Sequence, residues 1–293
     1  MEIIMEKYHG LGNDYLVIDP YKNNIELNEE NIKLICNRNY GVGSDGILYG
    51  PIFDSGKIKV KIYNPDGSEA EKSGNGVRIF SRYLLDEGYV NGKTFILTTL
   101  GGDVEVEYMN KEGSMLKVAM GKVTFKSDDI PVTGYTREVI NEEMKFNGVY
   151  YNATCLSIGN PHCVIILDNI SEKLVKEIGP FVENAEYFPN RINLQIVKVI
   201  DRNNIKIEIY ERGAGYTLAS GSSSCAAASA VYKLGLIDKK VNVHMPGGVL
   251  NIEIMKDGMI YMIGPVMKIG SIKVAEQFMK NWMNSSEHRA NIL

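Results

Sequence analysis

The chain repeats itself at half its length. Lys57-Ile58-Lys59-Val60-Lys61-Ile62-Tyr63 returns as Asn204-Ile205-Lys206-Ile207-Glu208-Ile209-Tyr210, an offset of 147 in 293 residues. Both segments alternate apolar and polar side chains, which predicts a strand with one buried face. Ten residues after each tyrosine stands a Ser-Gly pair, Ser73-Gly74 and Ser220-Gly221, each opening a helical run. The runs are Gly76–Leu85 and Cys225–Tyr232, and each is followed by a glycine suited to a helix C-terminus, Gly88 and Gly235. After a deletion of one residue, Gly101-Gly102-Asp103-Val104-Glu105-Val106 pairs with Gly247-Gly248-Val249-Leu250-Asn251-Ile252 at an offset of 146. Four coincidences in register predict two homologous halves.

The expected fold class is α/β (α+β): two pseudo-symmetric domains, each a mostly antiparallel curved sheet wrapped around a central helix. The second helix is apolar on nearly every face and should be buried. Lys126-Ser127-Asp128-Asp129-Ile130-Pro131 reads as a linker, which gives an N-terminal half of residues 1–125 plus 272–293 and a C-terminal half of residues 126–271. The polar end Asn284–Arg289 reads as a frayed tail without function.

Composition narrows the function classes. With 36 acidic and 32 basic side chains the chain is mildly acidic, so no basic footprint for nucleic acid or an anionic membrane exists. At 44% apolar it matches ordinary globular proteins, no apolar run reaches the length of a membrane span, and the start lacks a signal-peptide layout. Cys36, Cys155, Cys163 and Cys225 show no CxxC spacing, against a zinc site or disulfide framework. A cytoplasmic location is expected.

The Ser-Gly pairs carry the chemistry. A helix N-terminus offers unpaired N–H groups and the positive end of the helix dipole, and a carboxylate is a natural guest. Two such termini facing one another across an interdomain cleft would present Ser73 and Ser220 to opposite faces of one atom, a geometry suited to inverting a stereocentre. On the residues alone, both serines could equally be ordinary helix caps.

Seven motifs in order carry a family resemblance: His9-Gly10-Leu11-Gly12-Asn13-Asp14, Gly41-Val42-Gly43-Ser44-Asp45-Gly46, Asn64-Pro65-Asp66-Gly67-Ser68-Glu69, Gly74-Asn75-Gly76-Val77-Arg78, Gly159-Asn160-Pro161-His162, Glu211-Arg212-Gly213-Ala214-Gly215 and Pro246-Gly247-Gly248. Over nearly its whole length the chain resembles the diaminopimelate epimerases, cofactor-independent amino-acid racemases and epimerases with two pseudo-symmetric domains. The resemblance implies epimerisation of LL- to meso-2,6-diaminoheptanedioate, on the route to lysine and peptidoglycan, with no cofactor, no metal, a small amino-acid substrate as partner and a homodimer. It puts the two catalytic bases at Ser73 and Ser220, with His162 beside them. The helix ends Gly74-Asn75 and Gly221-Ser222 would take the reacting carboxylate and Glu211 the amino group. Asn64, Asn160, Asn193 and Arg212 would take the distal amino-acid end, with Asn13 also lining the pocket.

Four positions depart from the family. Both base positions hold serine where the family has cysteine. A thiol near pKa 8.5 is readily tuned to a thiolate, whereas a serine hydroxyl needs a neighbouring base. Tyr216 stands where the family usually has an acidic residue, and Gly46 occupies a variable position. At this level three readings stay open: two deliberate Cys→Ser changes in an epimerase, a divergent racemase or isomerase of another substrate, and a catalytically silent amino-acid-binding paralogue.

Overall fold

A computed structural model describes residues 2–25 and 27–275. The segment Asn284–Arg289, read above as a tail, lies outside the described residues. The chain divides into two compact units, Met1–Val118 with Pro265–Leu293, and Ala119–Gly264.

Each unit orders its strands the same way. In the first, Met267–Ala275 pairs antiparallel with Glu2–Gly10, which pairs antiparallel with Asn13–Ile18. Next come Ile47–Asp54, parallel to Asn13–Ile18, and Lys57–Tyr63, antiparallel to Ile47–Asp54. Thr94–Thr99 lies parallel to Lys57–Tyr63, and Gly102–Tyr108 closes on it antiparallel. The second unit runs Glu142–Phe146, Val149–Ser157 and Pro161–Ile166 antiparallel, then Asn193–Asp201 parallel to Pro161–Ile166. Asn204–Glu211 follows antiparallel, Lys240–Met245 parallel to it, then Gly248–Ile254 and Met259–Pro265 antiparallel. The two parallel neighbours fall at corresponding places, so the sequence repeat is a repeat of topology in a mixed α+β fold that is mostly sheet.

Among the described residues four helices complete the units: α1 (Glu29–Cys36), α2 (Gly74–Asp86), α3 (Glu172–Glu183) and α4 (Gly221–Lys233). The ranges of α2 and α4 differ by 147 at both ends. Each ends ahead of a left-handed glycine, Gly88 at φ 73° and Gly235 at φ 74°, a conformation that costs glycine nothing. Alanine supplies helix propensity without bulk in α4, where every residue from Ser223 to Val231 is buried. Helix α2 is as deeply set but carries a charge inside: Arg78 is fully buried.

The segment Lys126–Pro131, expected to link the halves, is part of the second unit. Ser127–Asp129 forms one 3₁₀ turn, the Ser127 amide bonds the Arg137 carbonyl, and Ile130 enters the apolar core with Val139 and Cys155. Its polar, proline-bearing composition reflects a tight turn rather than a free connection. Among the described residues no helix is long and apolar enough to cross a membrane.

Candidate active site

Both capping serines sit where backbone geometry needs them. Ser73 (φ −134°, ψ 119°) and Ser220 (φ −144°, ψ 129°) are extended residues ahead of α2 and α4. Ser73 Oγ accepts the Gly76 N–H at 3.0 Å, and Ser220 Oγ the Ser223 N–H at 3.4 Å. The N–H groups at Gly74-Asn75 and Gly221-Ser222 have no intrahelical acceptor and lie at the positive end of each dipole. Each unit thus offers an anion seat directly beside a side-chain hydroxyl.

In the first unit this seat is braced by a line of polar groups. Arg78 Nη2 donates to Asn75 Oδ1 at 2.8 Å, Asn75 Nδ2 to Asn13 Oδ1 at 2.9 Å, and Asn13 Nδ2 to Asp45 Oδ2 at 2.8 Å. Arg38 then bridges Asp45 and Asp14, each at 2.6 Å, and Lys7 reaches Asp14 at 2.8 Å. Burial pushes the Asp14 carboxyl up, but the hydrogen bonds and charges of Lys7 and Arg38 outweigh it and hold the group below its ordinary value. Asn64 lies in the turn after strand Lys57–Tyr63, where its Nδ2 bonds Ser68 Oγ at 3.0 Å. Ser73 also meets the Tyr15 hydroxyl at 3.2 Å.

In the second unit Ser220 approaches Ser222 Oγ at 3.5 Å and bonds the Glu211 carboxyl. Burial raises the Glu211 pKa and the Ser220 hydroxyl opposes that shift. Asn160 Nδ2 reaches Ser222 Oγ at 3.5 Å, matching the Asn13–Asn75 pair of the first unit one repeat earlier. His162 is fully buried, with Gln195 Oε1 at 3.2 Å from Nδ1 and Asn160 Oδ1 at 2.9 Å from Nε2. Burial drives its pKa down to about 3, against a weaker upward pull from Gln195, so the ring is neutral at pH 7. One N–H serves one of the two amides, and the other must present its NH2. The ring therefore orients Asn160 and is turned to the two amides.

Asn193 Nδ2 donates to the Pro161 carbonyl at 2.7 Å, and its Oδ1 accepts the Arg212 N–H at 2.9 Å. It thereby fixes the backbone from which the exposed Arg212 projects; the Arg212 guanidinium donates to the Asn190 carbonyl at 3.1 Å. Tyr216, flagged as a departure, lies apart from these groups. Its hydroxyl donates to Glu208 Oε2 at 3.0 Å, Lys176 sits over its ring, and the ring packs on the core beneath α3.

Sequence reading missed Tyr15, Arg78, Asp45 and Gln195 as parts of these constellations. The 147-residue offset carries a signal for one of them, since Tyr15 falls at the place of His162. Gln195, a polar residue inside Leu194-Gln195-Ile196-Val197, is a second visible mark. Among the described residues no group of three His, Cys, Asp or Glu side chains could hold a metal ion.

The chain has relatives among known proteins. The diaminopimelate epimerase family profile matches residues 5–126 and 154–269. "Diaminopimelate epimerase 2" of Nostoc sp. is 53% identical over 264 residues, spanning 90% of this chain and 92% of that protein. A diaminopimelate epimerase of Methanococcus maripaludis is 38% identical over 266 residues, 90% of this chain and 96% of the relative. In fold, a hydroxyproline epimerase from Agrobacterium vitis with bound trans-4-OH-L-proline superposes at TM-score 0.66 and 13% identity, covering 93% of this chain and 91% of that one. A methylitaconate-delta-isomerase does so at 0.65 and 11%, covering 95% and 97%. The chain belongs to the diaminopimelate epimerase family, a family of isomerases.

Proposed function

We propose that this protein is an epimerase of the diaminopimelate type, without a cofactor, in which position 73 and position 220 act as bases on opposite faces of one α-carbon. The observation that carries the reading is the duplicated seat: two buried helices with matching boundaries one repeat apart, each capped by a serine hydroxyl at its N-terminus. The carboxylate at the reacting carbon would sit on the Gly74-Asn75 and Gly221-Ser222 termini. Glu211 would hold the amino group, and Asn13, Asn64, Asn160, Asn193 and Arg212 the distal amino acid. His162 serves this set by orienting Asn160.

Serine at both base positions predicts severe loss of turnover. Proton abstraction from an α-carbon needs an acceptor far more basic than a neutral hydroxyl, and a thiolate beside a helix N-terminus supplies one at pH 7. Glu211 bonds Ser220 and offers it a local proton acceptor, whereas Ser73 has a phenol as its partner.

The test is α-proton exchange in deuterated buffer, followed by NMR, on LL- and meso-diaminopimelate, histidine, lysine and glutamate. The chain as it stands is compared with a Ser73→Cys/Ser220→Cys version. Exchange on diaminopimelate in the double-cysteine version alone supports the proposal. Exchange by the serine protein on another amino acid overturns it in favour of a distinct isomerase, and thermal stabilisation without any exchange leaves a binding protein.

A further inference from the structure

The two capping serines have chemically different partners. Tyr15, on strand Asn13–Ile18 and only 7% exposed, brings its hydroxyl to 3.2 Å from Ser73 Oγ. One repeat later stands His162, which is turned to Asn160 and Gln195, while Ser220 bonds the Glu211 carboxyl. The position of Tyr15 depends on Gly46: a Cβ there would lie 2.6 Å from Tyr15 Cε1 and 2.5 Å from the Tyr63 carbonyl oxygen. Glycine at this variable position makes room for the phenol ring.

We propose that Tyr15 is the positioning residue of the first base: its hydroxyl donates to the side chain at position 73, fixes its rotamer over the α2 N-terminus and stabilises it as a proton acceptor. The inference rests on the reading of position 73 as a base. A deprotonated acceptor at that position offers lone pairs alone. The Gly76 N–H occupies one of them, and the phenol, a second neighbour in hydrogen-bond range among the described residues, is then a donor. A hydrogen bond to an anion is about twice as strong as one between neutral groups, so the hydroxyl favours the charged form. Glu211 as a carboxylate can only accept from Ser220. The first base is thus assisted by a donor and the second by an acceptor.

The test uses Ser73→Cys as a titratable reporter. All four native cysteines are buried, whereas Ser73 is partly exposed, so alkylation by iodoacetamide, located by mass spectrometry, reads the introduced thiol. Its rate against pH is measured with and without Tyr15→Phe, with Ser220→Cys carrying the same pair of backgrounds as the control and melting temperatures followed throughout. Removal of the hydroxyl is expected to raise the midpoint at position 73 by about one pH unit, a tenfold smaller thiolate population at neutral pH, and to leave the midpoint at position 220 unmoved. Equal midpoints with and without the hydroxyl, or equal shifts at both positions, overturn the proposal. Should the phenylalanine chain not fold, Tyr15→Leu, which also lacks the hydroxyl, takes its place with the same two outcomes: a raised midpoint at position 73 alone supports the proposal, and an unmoved one overturns it. No readout here uses a substrate. A failure therefore leaves the epimerase reading standing, and absence of α-proton exchange leaves this one standing.

Discussion

Asn75 and Asn13 join their side-chain amides over 2.9 Å, in a line that runs from a buried cation to an anion. Arg78 donates into one end and Asp45 accepts at the other, so every donor and acceptor along it points one way. Neither amide can flip without facing like against like. The line ties the anion seat of α2 to the charged cluster of Arg38, Asp14 and Lys7.

Removing the cation should therefore loosen both fold and site. Arg78→Met fills comparable volume but leaves Asn75 Oδ1 without its donor. We expect a loss of about 3 kcal/mol in urea unfolding at pH 7, in the range for breaking a buried charged hydrogen-bond set. In the Ser73→Cys/Ser220→Cys background the same change should raise KM for diaminopimelate, since the amide Asn13 loses its fixed orientation. A change in stability below 0.5 kcal/mol, of the order seen at surface sites, would contradict the account.

His162 makes stability depend on pH. Its folded pKa near 3 lies below the unfolded value of 6.5, so the unfolded chain binds the extra proton first. The stabilisation is complete above about pH 6.5 and drains away as the pH falls towards 3. Between pH 7 and pH 5 this one group should remove about 2 kcal/mol of unfolding free energy. His162→Gln, compared with the parent by urea titration at both pH values, should lower stability at pH 7 and show a decline to pH 5 that is smaller by about that amount. Parallel declines would mean that the ring is already charged in the folded protein.

What could be read from the sequence was local or periodic. The capping serines, the closing glycines and the buried character of α4 follow from residue types at fixed spacing, and the offset of 147 repeats them. The polar lines were hidden because their members lie 32 to 62 residues apart and meet only in the folded unit: Tyr15 with Ser73, Asn13 with Asp45 and with Asn75. Arg78 stands in the motif Gly74-Asn75-Gly76-Val77-Arg78 with no local mark of its burial, and only the packing of α2 on strands from its own unit buries it. Lys126–Pro131 misled for the opposite reason, since a composition typical of linkers also serves a tight turn pinned by Ser127.

Tyr216 offers a test of specificity against packing. Its pKa is pushed up to about 12 by burial and by the Glu208 carboxylate, as expected of a phenol that donates to an anion. Tyr216→Phe removes that hydrogen bond and keeps the ring in the core. The expected outcome, in the Ser73→Cys/Ser220→Cys background, is a loss of about 1 kcal/mol in stability with no change in which amino acids exchange their α-proton. A shift in the substrate panel would place Tyr216 in specificity after all.

Restoring thiols one at a time should reveal whether the two base positions work as a unit. In a two-base inversion one group removes the proton while the other returns one from the far face, so a single competent base leaves the reaction blocked in each direction. Ser73→Cys and Ser220→Cys should each allow slow exchange at one face of diaminopimelate, with retention of configuration. Inversion should require both, and the double substitution should exceed either single one by at least about 100-fold, the scale of one acid–base contribution. Chiral chromatography after incubation separates the two outcomes, because it counts inverted product independently of deuterium uptake. Full inversion by either single variant would mean that the remaining serine, with Tyr15 or Glu211 as its partner, is a competent acid–base group.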